Sequence, residues 1–364
     1  MKRKRPIPAF SIAVFSLCLI CAVLLLIMDR SPAFSDTMNS TVSAVYRTVA
    51  AKVFDIIPFS FGELLLFSSP VLVFLSAYLL CRYSSCGRIY ILRAVSLVLC
   101  LPAIVFSMFV IGFAPGYRGS SLDEKLDLER SEVSAEKLYA SALCAAEETA
   151  ELLGEVDFRL DGASVMPFTY DRMSEKLSSA YEKAGSKYSS WDSLSSRVKP
   201  LVISKYMTYT HLSGIYFFFT GEANINTNYP DFIVVYTAAH EMAHQRGISR
   251  EDEANFTAFL VCRESEDPYI RYCGSLNMLE YLMDALYSAH PSMYSDLYSQ
   301  LPAPIKGELY AYARFFDEYR DNSAADISDS LNEAYLVSQG TQGVKSYGLV
   351  ADLAVAFYKE KIIG

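Results

Sequence analysis

Thr237-Ala238-Ala239-His240-Glu241-Met242-Ala243-His244-Gln245-Arg246-Gly247-Ile248-Ser249-Arg250-Glu251-Asp252-Glu253-Ala254-Asn255-Phe256 is the stretch on which the reading of this chain turns. Only four histidines occur in the whole sequence, and two of them stand four residues apart here. On an α-helix, positions i and i+4 share a face, so both imidazoles can reach one ion. Glu241 follows the first histidine, where a carboxylate can act as base toward a water activated by that ion. In random chains of this composition the His-Glu-x-x-His pattern would arise about three times in a thousand. The uncharged residues before and within the motif suit a buried metal-bearing helix, and Gly247 supplies a helix stop.

A catalytic zinc takes three protein ligands and keeps a fourth position open. A third histidine at the spacing used by metzincins would fall at position 250, which is Arg250. The third ligand is therefore sought among the acids that follow. Ser249 reads as the N-cap of the next helix, with Asp252 as its N3 acid. On that register Glu251 and Asp252 are solvated acids of the first turn. Glu253, the last acid before the apolar run Ala254–Cys262, turns inward and is the expected third ligand, with Glu251 or a more distant residue as the alternative.

Working outward, the chain has 364 residues, 52% hydrophobic and 20% charged, with mean hydropathy +0.20. Such a chain is too apolar for disorder and too charged to lie wholly in lipid. Residues 1–93 carry ten Lys/Arg against four Asp/Glu, residues 94–113 carry no charge, and the remainder carries −15 of the total −9. That acidic remainder does not attract phosphate backbones, which argues against nucleic acid as a partner.

Three apolar stretches fall in the first third: 9–28, 64–80 and 94–113. A hydrocarbon core of roughly 30 Å takes about twenty helical residues, so the first and third are comfortable spans and the second is short. Basic clusters at Lys2–Arg5 and Arg82–Arg93 should stay cytoplasmic. Three spans then place everything after residue 113 outside the cytoplasm. A cleaved signal peptide competes for the first stretch, and a buried core helix competes for the second. The expected organisation is a membrane anchor over 1–113 and a soluble domain over 114–364.

Within the soluble part, helical spacing predicts helices over 134–153, 170–183 (ended by Gly185), 250–262, 276–289, 305–320, 328–338 and 347–361. Gly214–Thr220, rich in β-branched and aromatic residues, predicts a strand. The expected fold class is α+β and mostly helical, with one small sheet. Cys262 and Cys273 are read either as a pair or as free buried thiols.

These residues carry a resemblance. Ser213–Tyr216, Phe219–Asn226, His240–Phe256 and the tail Gly340–Gly348 resemble the membrane-anchored, zincin-like proteins catalogued as domain of unknown function 3810. The resemblance implies a zincin-like metallopeptidase architecture and a bacterial plasma membrane; it brings no substrate. In zincin folds the strand before the active-site helix is an edge strand that aligns an extended peptide, a part that Gly214–Thr220 could take. Glu222 is a weaker substrate-binding candidate by its faint likeness to the amine-binding loop of membrane aminopeptidases; a plain turn is the competing reading. His211 and Tyr347 are candidate oxyanion donors, each weighed against a structural role.

The leading expectation is a multi-pass membrane zinc metallopeptidase. Zn2+ would be held by His240, His244 and Glu253, with Glu241 as general base and a peptide or protein as substrate. A zinc-binding sensory or interaction module without turnover is the alternative, and a membrane structural protein without metal is a third.

Overall fold

The computed structural model describes residues 7–84, 86–130, 133–188, 191, 194–343 and 349–363. The chain divides into two compact units. One comprises residues 1–119 with 217–222, and the other comprises 120–216 with 223–364.

The first unit is helical. Helices α1 (Ala9–Met28), α4 (Phe61–Ser84) and α5 (Arg88–Gly112) are each long and apolar enough to cross a membrane. The second of these outgrows the seventeen-residue apolar stretch because polar ends continue the same helix. Between α1 and α4 the chain is also helical, as α2 (Pro32–Met38), a π-helical turn (Asn39–Ser43) and α3 (Ala44–Asp55). The apolar side chains of α3 run opposite to those of a water-soluble helix: Val45, Val49 and Val53 are exposed, while Arg47 and Ala51 are buried. Arg47 reaches Asn39 Oδ1 at 2.8 Å, the Asn39 carbonyl at 2.9 Å and the Gly112 carbonyl at 3.3 Å. A short helix α6 (Ala114–Arg118) completes the contiguous part of this unit.

The second unit opens with α7 (Leu122–Leu126) and α8 (Ala135–Glu151), the latter capped by the Ser134 side chain as its sequence predicts. Helix α9 (Tyr170–Lys187) runs through Gly185 rather than stopping there, because burial of Met173, Leu177, Ala180, Tyr181 and Ala184 holds the helix beyond it. After α10 (Ser204–Met207) come α11 (Asp231–Gln245), α12 (Glu251–Glu264) and α13 (Pro268–Ala289). The helices α14 (Pro291–Gln300), α15 (Ala303–Asp317), α16 (Ser323–Ser338) and α17 (Val350–Ile363) follow. Helix α13 starts eight residues before the predicted 276: Asp267 caps it by accepting from Tyr269 N and Ile270 N, and Pro268 occupies the first position. The core gathers α8, α9, α11, α12, α13 and α17 around Phe232, Phe256, Phe259, Leu276 and Tyr358. Cys262 and Cys273 are buried free thiols.

The sheet has three strands in the order β1 (Lys199–Pro200), β3 (Glu222–Ile225), β2 (Gly214–Phe217). β1 and β3 run parallel, with Lys199 opposite Asn224 and Pro200 opposite Ile225. β2 is therefore an edge strand. It stops at Phe217, short of the predicted Thr220, because Thr220 N and Gly221 N both turn back onto the Phe217 carbonyl.

Candidate metal centre

Helix α11 is apolar on nearly every side, as expected of a helix surrounded by protein. It ends in a Schellman turn: Gly247 N donates to the His244 carbonyl at 3.0 Å, and Ile248 N donates to the Ala243 carbonyl at 3.2 Å. Gly247 has φ +89°, a conformation that L side chains rarely adopt. The turn also aims a ring. The Ile248 carbonyl accepts from His244 Nδ1 at 2.7 Å. Asn255 Oδ1 does the same for His240 Nδ1, also at 2.7 Å. An amide or peptide oxygen only accepts, so both histidines carry a proton on Nδ1 and turn Nε2 toward the site, where loss of any second proton would leave it free to bind an ion.

Both Nε2 atoms meet the same carboxylate. Glu251 Oε2 lies 3.2 Å from His240 Nε2 and 3.5 Å from His244 Nε2. His240, His244 and Glu251 are the group of described residues able to hold a metal ion, with their ligand atoms all within 4.8 Å of one another. The two imidazole planes stand at 89°, with centroids 4.6 Å apart. Once Nε2 of both rings is deprotonated, two imidazole nitrogens and one carboxylate, mostly buried and with Nδ1 already bonded, are a donor set that fits Zn2+.

Glu253, the predicted third ligand, is elsewhere. It is buried, but its Oε1 accepts from Leu122 N at 2.9 Å and from Arg250 Nη1 at 2.9 Å. The cause is the helix register. Helix α12 is preceded by Arg250 as N-cap, not Ser249, and no side chain caps it. Glu251 thus opens the helix directly after the turn from α11 and folds back over the histidines. Nor are Glu251 and Asp252 solvated: α12 is packed among α9, α11, α13 and α17, and Asp252 is buried. Glu251 and Asn255 stand at i and i+4, so one face of α12 offers both the carboxylate and the amide that orients His240. Tyr236 OH ties the two helices by donating to the Asn255 carbonyl at 2.6 Å.

Glu241 is 5% exposed, and its Oε2 has no hydrogen-bond partner among the described residues. Burial pushes its pKa up to about 7, against the lowering effect of the two histidines. Burial works against charge on His244, but the Glu251 carboxylate outweighs it and lifts His244 to about 9. Burial also opposes ionisation of Glu251, yet the facing histidines hold it well below the usual carboxylate range. β2 passes directly over this acid. A Cβ on Gly214 would stand 2.5 Å from Glu241 Oε1 and 2.6 Å from Thr237 Cγ2, so only glycine allows the approach. Further along β2, the Tyr216 ring lies 6.4 Å from the His244 ring.

The remaining candidates fall outside this group. Glu222, in the first unit, accepts from Phe61 N at 2.9 Å and Gly62 N at 2.8 Å, and so closes the amino end of α4. His211 sits at φ +59° with Nε2 2.8 Å from the Tyr319 carbonyl and its ring against Phe316. Tyr347 lies outside the described residues. Sequence reasoning named neither Glu251 as the first choice nor Asn255 at all, though their i, i+4 spacing was the available signal.

No curated protein and no solved structure matches the chain. A family model described as "Protein of unknown function (DUF3810)" matches residues 35–355. That span takes in two of the three apolar helices, the sheet, both histidines, Glu241, Glu251 and Asn255, and by it the chain belongs to the DUF3810 family.

Proposed function

We propose that the protein is a membrane-tethered zinc metallopeptidase whose zinc ligands are His240, His244 and Glu251. The spans would be ordered so that the amino terminus is cytoplasmic and the second unit lies outside. The observation that carries this reading is Glu241: a buried carboxylate with an unpartnered oxygen, one residue from a ligand-grade histidine pair. A purely structural zinc would call for a fourth protein ligand, not a base without a partner.

Zn2+ at such a site supplies Lewis acidity, which lets water attack near neutral pH and polarises a peptide carbonyl. Glu241 takes the proton of the attacking water at Oε2 and returns it to the leaving amine. As the last strand of the sheet, β2 would be the one to receive an extended peptide, whose main chain would run beside Gly214 and across Glu241.

The test is metal analysis of the purified full-length protein, followed by digestion of a peptide library with and without chelator. One zinc per chain together with chelator-sensitive cleavage is expected. Stoichiometric zinc with no cleavage across a broad library would replace the peptidase by a zinc-binding module. Zinc well below one per chain would remove the metal reading altogether.

A further inference from the structure

We infer that Glu253 is a positioning residue of the metal centre, clamping the first turn of α12 so that Glu251 meets the two imidazoles; the inference rests on the metal reading above. Glu251 is the first residue of α12 and would ordinarily belong to its fraying end. Here that end is held on both sides. Ahead of Glu251, the N-cap residue Arg250 gives Nη1 to Glu253 Oε1 at 2.9 Å. Behind it, the same oxygen accepts from Leu122 N at 2.9 Å. The acceptor is buried, and so is Leu122, so the bond between them forms away from competing water and is costly to leave unmade; the Arg250 bond is partly buried. Leu122 opens α7, just after the chain leaves the first unit at Gly119. The clamp therefore ties the segment that follows the membrane helices to the helix end bearing the carboxylate ligand.

The bond to Leu122 can be deleted from either end. Leu122 is the first residue of α7, where proline is accepted and only the N–H is lost. Ser121 before it already has the extended conformation that a following proline requires, φ −69°, ψ 159°. Leu122→Ala removes the same packing and keeps the N–H. Glu253→Gln keeps an acceptor oxygen, and Glu253→Leu removes it.

Zinc affinity is read on the full-length protein in detergent by competition with a chromophoric chelator, beside the melting temperature of each variant. Glu253→Leu and Leu122→Pro should each weaken zinc binding by about 10- to 100-fold, the range of outer-sphere partners of metal ligands. Their combination should be no weaker than the worse single variant, because both remove one interaction. Glu253→Gln and Leu122→Ala should stay close to wild type in affinity even where they melt earlier. If Glu253→Leu and Leu122→Pro melt earlier but hold zinc as tightly as wild type, Glu253 only stabilises the fold and the inference is overturned. If wild type itself binds no stoichiometric zinc, both this inference and the metal reading fall, a result distinct from the first.

Discussion

Each unit buries a glutamate within its structure, and the two are used in opposite ways. Glu222 in the first unit has its two oxygens on the N–H groups of Phe61 and Gly62. Glu241 in the second has a buried oxygen without a partner among the described residues. The surroundings differ as sharply. In the first unit the buried set includes Ser11, Ser35, Ser43, Arg47, Ser60 and Ser107, while Phe74 and Val73 are each 69% exposed. In the second, Phe232, Phe256 and Phe259 are fully buried around α11 and α12. The first unit exposes apolar side chains and turns polar ones inward, the pattern suited to an apolar solvent. The second packs an apolar core around α11 and α12, and among the polar groups buried beside those helices are Glu241, His244, Glu253 and Asn255. A buried polar group is thus expected to be structural in the first unit and chemical at the centre of the second.

The strongest challenge to that contrast is Glu241→Gln. Turnover should fall by about 10²–10⁴-fold, the usual contribution of a general base, while zinc content and melting temperature hold. The melting temperature should not drop, because the amide removes an unpartnered buried acid. Undiminished cleavage would take the base role from Glu241.

Packing gives the next largest effect. Phe256→Ala should destabilise the second unit by about 3–5 kcal/mol. Phe74→Ala, on an outward-facing position of α4, should leave the melting temperature in detergent nearly unchanged. Equal losses at the two sites would show that Phe74 is packed against protein.

The ionisable groups of the centre make a third prediction, read by thermal melts of metal-free protein across pH. The folded protein holds the His244 proton up to about 9, whereas an unfolded histidine releases it near 6.5. That stabilisation is complete below 6.5 and is lost as pH rises toward 9, on the order of 3 kcal/mol. Glu241 acts in the same direction between 4.5 and about 7. Glu251, ionised in both states above about 5.5, adds no slope there; below that the unfolded chain binds its proton first, so its contribution falls as pH falls. Zinc should reverse the trend, because the ion competes with the proton for His244. A flat profile without metal would dissolve the coupling between His244 and Glu251.

The smallest effect is expected at Glu222. Glu222→Gln should cost about 1 kcal/mol, the worth of a helix cap, and leave zinc binding and any cleavage untouched. A loss of cleavage without a loss of stability would return Glu222 to the substrate-binding role.

Much of this was readable in the residues themselves. Two imidazoles four apart with a glutamate between them specify a helix face before any coordinates, and the three apolar stretches specify their own lengths. The third ligand was not readable. Inward orientation was the right expectation for Glu253, which is buried, but what an inward acid meets depends on how α12 returns across α11. That return is set by the Gly247–Ile248 turn and shifts the cap from Ser249 to Arg250. Helices α2 and α3 escaped for a different reason: their pattern is inverted, with Arg47 inside and valines outside, so periodicity tuned to water says little about them. The early start of α13 was legible in Asp267-Pro268, a cap followed by a proline, and was missed by weighing apolar spacing alone.

The turn after β2 has a practical consequence for anyone expressing the second unit by itself. Residues 217–222 belong to the first unit, where Phe218 packs edge-on with Phe109 at 5.5 Å and receives the Tyr46 hydroxyl on its carbonyl at 3.1 Å. A truncation starting at Ser120 would strip Phe218 of those neighbours, in a run of three phenylalanines (Phe217, Phe218 and Phe219) at the end of the very strand that passes over Glu241. Such a fragment invites aggregation through that aromatic knob. Replacing the knob with polar residues, or retaining the three apolar helices, is the sounder route to a monodisperse sample.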